Sequence, residues 1–438
     1  IFSLITLTVY SVFTLGGSYI IESKNRLGAV SLANEKMEII RNMQYADIGI
    51  SGGTPSGDIP AEEDAVNGNH TYHVKTFIRY EDDPLDGTGS DDPTQNDYKT
   101  AKVTVSWIGP KGAPSEFSLA ARFVPPGMEQ ATTGGTLSIN IIDSSGIGVP
   151  QASVHIVNDD VSPAIDMTAM TNDSGNLLFI AAPPSTGGYY MTVSKDGYET
   201  VETIDPGSVT YDVKDEPASV VDGSMNVKSI VQDELINLKF VSSDQSGTTL
   251  PNVGFDLVGG RILGYNMLTS PATPIYKIDD SYTTDGNGEK NLDEISPGQF
   301  YLSEIVSPAG HTLVGLDNFT SFDALNNRYG FIMPPGEEGE FKIKFANNAV
   351  SGLLVRAVDS VSGARINGAS ARLSNNDGYD ESMTTMTDGI AYFPLTATPL
   401  EAGTYDLEIT VDEYETYTTT VEIEVDTLVE QEVELVAN

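Results

Sequence analysis

Residues 1–21 read IFSLITLTVYSVFTLGGSYII, and this stretch contains no charged side chain. Residues 22–45 mix charged and apolar residues. We predict one helix that continues to about Tyr45, which at 1.5 Å per residue is roughly 65 to 70 Å long. Its first half matches the roughly 30 Å hydrocarbon core of a bilayer, so this half needs lipid or protein around it.

The second half of this helix carries an apolar stripe. Spacings of three or four residues separate Leu27, Val30, Ala33, Met37 and Ile40, and Leu32, Ile39 and Met43 flank them. We therefore expect the stripe to lie on a folded domain. The adjacent glycines Gly16 and Gly17 cost roughly 2 kcal/mol of helix propensity relative to alanines, so we expect the helix to loosen there.

The charge of the chain points to a soluble, exposed surface. The net charge is −40, and the residues after the helix carry 60 acidic against 19 basic side chains. A negative field of this size repels phosphates, so nucleic acid is not an expected partner. The absence of cysteine excludes disulfides and zinc–thiolate sites.

Strand-like alternation dominates after Tyr45, and 438 residues suggest several domains of about 100 to 150 residues each. We predict an α+β chain in which a small antiparallel sheet covers the helix and tandem β-sandwiches follow. The predicted segments are the helix 1–45, a head domain 46–130, and sandwiches at 131–232, 233–348 and 349–438. The predicted head strands are 71–80, 100–108 and 116–124.

Three degenerate copies of one strand and turn pattern fill the sandwich segments. In each copy a glycine turn precedes a buried strand, a threonine turn reverses the chain, and a Gly-aromatic strand closes the sheet. The threonine turns are Thr171-Asn172-Asp173-Ser174-Gly175, Thr284-Asp285-Gly286-Asn287-Gly288 and Thr387-Asp388-Gly389. This pattern resembles Ig-like and transthyretin-like (carboxypeptidase-regulatory-like) sandwiches. Insertions at 259–276 and 313–335 in the second copy are expected to be loops that touch a neighbour.

The start of the chain, Phe2-Ser3-Leu4-Ile5-Thr6-Leu7, resembles the start of type IV pilin-like proteins, whose usual pattern is F-T-L-I-E-L. Residues 32–45 are similar to the helix end of pseudopilins and minor pilins. The resemblance implies that the apolar half-helix anchors a precursor in the inner membrane and later packs against copies of itself in the axis of an extracellular filament. The assembly residues it implies are Ile1, Phe2, Leu4, Ile5, Thr6, Leu7, Val9, Val12, Phe13, Leu15, Gly16 and Gly17.

The resemblance also implies a prepilin peptidase and the pilus assembly machinery as partners, and a mature, processed chain at the cell surface. One position departs from the family. Thr6 stands where the family has an acidic residue that neutralises a neighbour's terminal amine, and Ile5 stands there if Ile1 is the first aligned residue. An ordinary single-span anchor or an uncleaved signal sequence is the alternative.

Calcium is the cofactor that the acidic loops favour, since it prefers oxygen ligands from Asp, Asn and backbone carbonyls. The densest cluster lies between the first two predicted head strands and comprises Asp82, Asp83, Asp86, Asp91, Asp92 and Asp97. A solvated acidic loop is the alternative interpretation. Asp285, Asn287 and Glu289 form a second, weaker candidate. His70 and His73 are three residues apart, which on a strand places them on opposite faces and argues against a shared metal.

No catalytic motif is visible in the sequence, because a nucleophile elbow, a phosphate-binding glycine loop and an H-E-x-x-H pair are all absent. The leading hypothesis is a non-enzymatic structural subunit of a type IV pilus-like filament whose sandwiches are displayed outward, either as decoration or as an adhesive stalk. The alternatives are a minor pseudopilin or tip adhesin, and a membrane-anchored surface protein that does not polymerise.

Overall fold

The structure, a computed structural model, describes residues 2–67, 70–81, 97–125 and 134–438. For residues 2–14 and 111 it describes the backbone alone. The described residues are mostly β-strand, with one long helix at the start. They divide into two compact units, of which the first contains Ile1–Asp196, Thr200–Ser208 and Asp215–Gln232, and the second Gly197–Glu199, Val209–Lys214 and Asp233–Asn438.

The helix α1 (Phe2–Arg41) is continuous, so the predicted loosening at Gly16 and Gly17 is wrong. A glycine lowers helix propensity by about 1 kcal/mol, but it keeps its backbone N–H and C=O groups and both intrahelical hydrogen bonds. The helix ends a turn earlier than Tyr45, and a short 3-10 turn (Tyr45–Asp47) follows it. The 40 residues of α1 form a rod of about 60 Å.

The head sheet has four antiparallel strands in chain order. Its strands are β1 (Glu62–Asn67), β2 (His70–Glu81), β3 (Tyr98–Ile108) and β4 (Pro114–Phe123). The three predicted strands correspond to β2, β3 and β4, whereas β1 was not predicted. Strand β1 reads EEDAVN, and this acidic segment lacks the apolar alternation that identifies a half-buried strand.

The second half of α1 packs on this sheet. A single core cluster combines Ala29, Leu32, Ala33, Met37 and Ile40 of the helix with Tyr72, Val74, Ile78, Val103, Val105 and Trp107 of the sheet. Two members of the predicted stripe lie elsewhere, since Leu27 is 68% exposed and Ile39 is 51% exposed. The predicted stripe was too wide, because apolar residues occupy more than one face of this helix.

The first sandwich lies in the first unit. The strands of this region are β5 (Gly135–Ile142), β6 (Ser153–Asn158), β7 (Ile165–Met170), β8 (Asn176–Ala182), β9 (Ser185–Ser194), β10 (Val201–Glu202), β11 (Asp212–Val213), β12 (Ala218–Val220) and β13 (Met225–Val231). One sheet has the order β13-β5-β8 and the other β10-β9-β6-β7, with β12 on β9. Strand β11 belongs to the second unit.

The second sandwich lies in the second unit. Its strands are β14 (Ile236–Asp244), β15 (Gly254–Asn266), β16 (Thr273–Thr283), β17 (Glu289–Ile295), β18 (Gly298–Ser303), β19 (His311–Asp317), β20 (Ser321–Asp323), β21 (Arg328–Met333) and β22 (Glu338–Asn347). One sheet has the order β17-β14-β22-β19 and the other β11-β15-β18-β21-β20, with β16 on β15. The insertions predicted as loops therefore contain strands: β15 and β16 form a long hairpin, and β19, β20 and β21 add to both sheets.

The third sandwich has the strands β23 (Gly352–Asp359), β24 (Ser370–Ser374), β25 (Asp380–Thr384), β26 (Ile390–Phe393), β27 (Gly403–Thr410), β28 (Tyr417–Ile423) and β29 (Leu428–Leu435). Its sheets have the orders β26-β23-β29 and β25-β24-β27-β28. The first and last strands of each copy pair in parallel: β5 with β13, β14 with β22, and β23 with β29. This shared topology supports the repeat seen in the sequence.

A buried threonine recurs at one place in each sandwich. The hydroxyl oxygens of Thr171, Thr284 and Thr385 accept a hydrogen bond from the backbone N–H of Ala152, Val253 and Ala369, at 2.9, 3.0 and 3.0 Å. The third member is Thr385, so the sequence alignment that used Thr387 was wrong by two residues. Each threonine precedes by four residues a glycine with positive φ (Gly175, Gly288 and Gly389), where a Cβ would clash with the first strand of the copy.

Candidate functional site

The candidate site is the part of α1 that extends beyond the head sheet. Side chains of this segment are open to solvent: Tyr19 is 75% exposed, Ile20 73%, Ile21 53% and Leu15 48%. Further along the same helix, Met37 is fully buried. The second half of the helix is therefore packed against the head sheet. In the first half, the described apolar side chains are largely exposed.

The boundary between the two halves is fixed by contacts at Tyr72. Its buried hydroxyl donates to the carbonyl oxygen of Asn25 at 2.9 Å, next to Gly28, where a side chain would collide with the same hydroxyl. Burial, with the negative charge of Glu22 nearby, raises the pKa of Tyr72. Trp107 Nε1 donates to Glu22 Oε2 at 3.4 Å, so the first carboxylate of the chain lies where the helix leaves the sheet.

Charged side chains hold the other end of the helix. Lys36 Nζ lies 2.6 Å from Glu63 Oε1 on β1. Lys99 is 2% exposed, and its Nζ donates to the carbonyl oxygens of Tyr45 and Ile48 at 2.9 and 2.6 Å. Burial lowers the pKa of Lys99 to about 8. These contacts fix the turn after α1 against the sheet, and they set the orientation of the helix on the sheet.

Most of the predicted assembly residues lie where only the backbone is described. Ile1 is outside the described residues, and the side chains of Phe2, Leu4, Ile5, Thr6, Leu7, Val9, Val12 and Phe13 are not described. The remaining three are described: Leu15 is exposed, and a Cβ on Gly16 or Gly17 would meet no heavy atom within 4 Å. The helix surface at Leu15, Gly16 and Gly17 is therefore open and has room for another helix to approach.

The predicted calcium loop falls mainly outside the described residues, which include none of Asp82, Asp83, Asp86, Asp91 and Asp92. Asp97 is described and lies buried just before β3. In the second candidate calcium site, Asp285 and Glu289 use carboxylate oxygens for contacts within the protein. Asp285 Oδ1 accepts the backbone N–H groups of Asn287 and Glu289 at 2.8 and 2.9 Å, which lowers the pKa of Asp285, and Glu289 pairs with Lys239 at 2.7 Å.

His73 and His70 lie on opposite faces of β2, as predicted. His73 Nδ1 is 2.9 Å from Asp64 Oδ1 on the exposed face, and the His70 ring contacts the Tyr72 ring edge to face at 5.0 Å. Within the described residues, no group of three His, Cys, Asp or Glu side chains is arranged to hold a metal ion. In the same part of the chain, no helix combines the length and apolar character needed to cross a membrane.

A buried ion pair in the second unit was not predicted. Arg261 Nη1 on β15 lies 2.7 Å from Glu199 Oε1, and the two side chains are 7% and 2% exposed. The backbone N–H of Asp233 also approaches Glu199 Oε1, at 3.4 Å. The pair attaches the Gly197–Glu199 segment to the second sandwich. The only sequence signal was the D-G-Y-E motif at 196–199, which does not identify its partner.

No family model matches this chain, and no curated protein matches it in sequence. Among solved structures, it is similar to the Bacillus anthracis TIE protein at 15% identity and a TM-score of 0.22, covering 86% of this chain and 73% of that one. A streptococcal ancillary pilin matches at 15% identity and a TM-score of 0.21, over 70% of this chain and 99% of that one. The shaft pilin SpaA of Lactobacillus rhamnosus GG matches at 15% and 0.21, over 50% and 99%. TM-scores of this size carry no conclusion about function.

Proposed function

We propose that this chain is a structural subunit of a type IV pilus-like filament on the cell surface. The apolar halves of α1 from many copies pack together in the filament core, and the β-sandwiches project outward. Before assembly, the same half-helix holds the precursor in the inner membrane, where a prepilin peptidase and the assembly machinery act on it.

The observation that carries this proposal is the bare apolar half of α1. Full burial of a side chain such as leucine or isoleucine is worth about 1.5 to 3 kcal/mol relative to exposure, so the exposed Leu15, Ile20 and Ile21 favour association. Copies of the same helix supply a matching apolar surface. Gly16 and Gly17 lie within this segment, and small residues allow two helices to approach closely.

The docked half of α1 supports the same proposal. The buried contacts from Asn25 to Ile40 fix the direction in which the helix leaves the head sheet. A filament needs each subunit to present its helix in one orientation, and a helix on a flexible tether would not do so. The acidic character of the rest of the chain, with 60 acidic against 19 basic residues, suits a displayed, water-facing surface.

A minor or tip subunit is the second candidate, and Thr6 favours it. A subunit at the tip has fewer neighbours whose terminal amines need a carboxylate partner, so the loss of the acidic residue is tolerated there. A non-polymerising membrane anchor is the third candidate. Electron microscopy separates the three, since they predict homopolymeric filaments, single copies at filament ends, and isolated monomers in detergent.

The decisive variant is Ile20→Asp, with Val361→Asp as its control. Both side chains are well exposed in the single chain, at 73% and 93%, so neither substitution should lower the thermal unfolding midpoint much. Ile20→Asp places a charge in the proposed helix bundle and should abolish filaments, whereas Val361→Asp should assemble normally. Normal filaments from Ile20→Asp would overturn the proposal.

A further inference from the structure

A cleft of about 350 Å³ lies inside the first unit, between the head sheet and the first sandwich. Its walls are the loop 50–54, residues 76–79 of β2, and residues 168–171 at the end of β7. The volume falls within the range of ligand pockets, about 300 to 1,000 Å³. The cleft therefore has room for a short stretch of another molecule.

The β2 wall is the part of that strand which extends beyond β1. Strand β2 pairs with β3 over residues 73–81, but with β1 only over residues 70–75. The last backbone contact on the β1 side is the hydrogen bond from the Thr76 N–H to the carbonyl oxygen of Ala61, at 2.8 Å. In an antiparallel strand, alternate residues direct their N–H and C=O groups to the same edge. The backbone groups of Ile78 therefore point to the edge that β1 leaves open.

The β7 wall is a second strand edge. In the described part of the chain, β7 pairs only with β6. The N–H of Thr171, just after β7, donates to the carbonyl oxygen of Ala152 on the β6 side, at 2.9 Å. By the same alternation, Thr168 and Met170 direct their backbone groups away from β6. The Thr168 N–H indeed donates to the carbonyl oxygen of Gly52 at 3.3 Å, so the groups of Met170 lie next along this free edge.

The two edges leave backbone groups unpaired at the cleft. Among the described residues, no backbone group bonds to the N–H or C=O of Ile78 or of Met170. Ile78 is only 5% exposed, so little water reaches its backbone. Buried backbone N–H and C=O groups are almost always paired in folded proteins. Each wall therefore presents one donor and one acceptor that a ligand can pair.

The side chains around the cleft offer apolar surface and balanced charge. Ile50, Phe77 and Met170 line it with apolar groups. Each charged side chain of the walls lies beside an opposite charge, so the cleft has no excess of either sign. The nitrogen and oxygen atoms are 2.8, 2.5 and 3.4 Å apart in the pairs Lys75–Glu62, Arg79–Glu81 and Lys102–Asp173. The cleft is therefore suited to an uncharged ligand.

We propose that this cleft binds an extended, uncharged segment of a partner protein, which adds as a strand between β2 and β7. A strand carries N–H and C=O groups along both edges, so it pairs with Ile78 on one side and with Met170 on the other. In strand addition to a sheet edge the main chain supplies affinity. A second copy of this chain carries a net charge of −40, and the balanced walls offer no excess positive charge to receive it. This inference does not depend on filament formation.

The test measures hydrogen exchange of single backbone amides in the whole chain. The probe is an N-acetylated, C-amidated pentapeptide with the sequence SVTVS, which is uncharged and favours an extended backbone. Its control has both valine nitrogens methylated, so it keeps the side chains but loses the two N–H groups of one edge. We expect the probe to slow exchange at Ile78 and Met170, and the methylated peptide to bind about tenfold more weakly. Unchanged exchange at both amides, or equal binding of the two peptides, would overturn the proposal.

The matched variants are Met170→Trp in the cleft and Met267→Trp, 64% exposed, just after β15 in the second unit. Met170 is half-buried beside open space, so the larger side chain should fill the cleft and abolish peptide binding with little change in the unfolding midpoint. Met267→Trp should change neither quantity. Full peptide affinity in Met170→Trp would contradict the assigned site. If the parent chain bound no peptide and Met170→Trp abolished only its self-association, the occupant would be a second copy and the proposal would be overturned.

Discussion

The hydroxyl of Tyr72 on the head sheet donates a buried 2.9 Å hydrogen bond to the carbonyl oxygen of Asn25 on α1. This contact lies about one helical turn from Glu22, where the helix leaves the head sheet beside Trp107. From here towards Arg41 one face of the helix is buried in a core with the sheet, and towards Leu15 its apolar side chains are bare. The tyrosine therefore defines which part of the helix is available to other molecules.

The first prediction concerns Gly28, which lies directly over that hydroxyl. Gly28→Ala places a methyl group against Tyr72 and should destabilise the head by about 1 to 3 kcal/mol, as overpacking does. Gly16→Ala is the control, since it adds the same methyl group where no heavy atom is near. It should raise helix stability by about 1 kcal/mol. Thermal unfolding followed by circular dichroism measures both, and equal effects of the two substitutions would contradict the packing described.

The second prediction concerns the buried pair Glu199–Arg261. Arg261→Met leaves the Glu199 carboxylate buried without its cation and should destabilise the second unit by about 3 to 5 kcal/mol. Adding Glu199→Leu should recover most of this loss, because it removes the carboxylate that had faced the arginine.

The matched control for this pair is Arg372→Met. Arg372 makes a two-pronged hydrogen bond to Asp380, at 2.8 and 2.7 Å, on the exposed face of the third sandwich. Its loss should change the midpoint little, because water replaces the partner. If the double variant Arg261→Met with Glu199→Leu were less stable than Arg261→Met alone, Glu199 and Arg261 would not be coupled.

The third prediction concerns pH and Asp388. Burial raises the pKa of this carboxyl group in the folded chain, so its ionisation opposes folding as the pH rises through the folded value. Asp388→Asn should therefore be more stable than the parent at pH 7, and this advantage should shrink as the pH is lowered towards 4. The asparagine amide keeps a hydrogen bond to the Tyr329 oxygen.

For Asp380→Asn we expect a change in stability at pH 7 that is opposite in sign to that of Asp388→Asn. The Arg372 guanidinium lowers the pKa of Asp380, so its carboxylate supports folding above the unfolded pKa, and this support is lost as the pH falls through the lower folded value. Asp380→Asn should therefore be slightly less stable than the parent at pH 7, and by no more than Arg372→Met, because the pair is exposed to water. Chemical denaturation at several pH values measures both variants, and pH profiles of the same sign would refute the assignment.

Local patterns predicted much of the fold. The alternation of Val103, Val105 and Trp107 identified β3, and the three- to four-residue spacing of Ala33, Met37 and Ile40 identified the docked face of α1. The same reasoning failed for β1, whose acidic residues pair with β2 partly through charge, as in the 2.8 Å contact of Lys75 with Glu62. A pattern of hydrophobic residues cannot reveal a strand whose partner contacts are polar.

The sites were less accessible to sequence reasoning than the fold. Glu199 meets Arg261 only because a loop folds against β15, and Tyr329 meets Asp388 only because the second and third sandwiches pack together. Neither relationship leaves a spacing in the sequence. The apolar segment 1–21 could be recognised from the sequence because the lack of charge is a local property that needs no tertiary contact to be seen.

The most direct measurement of the central claim is an electron cryomicroscopy reconstruction of the assembled material. We predict a central bundle of α1 helices in which Leu15, Ile20 and Ile21 contact neighbouring copies, with the sandwiches on the outside. A reconstruction in which these helices face solvent or lipid, with no central bundle, would contradict the account.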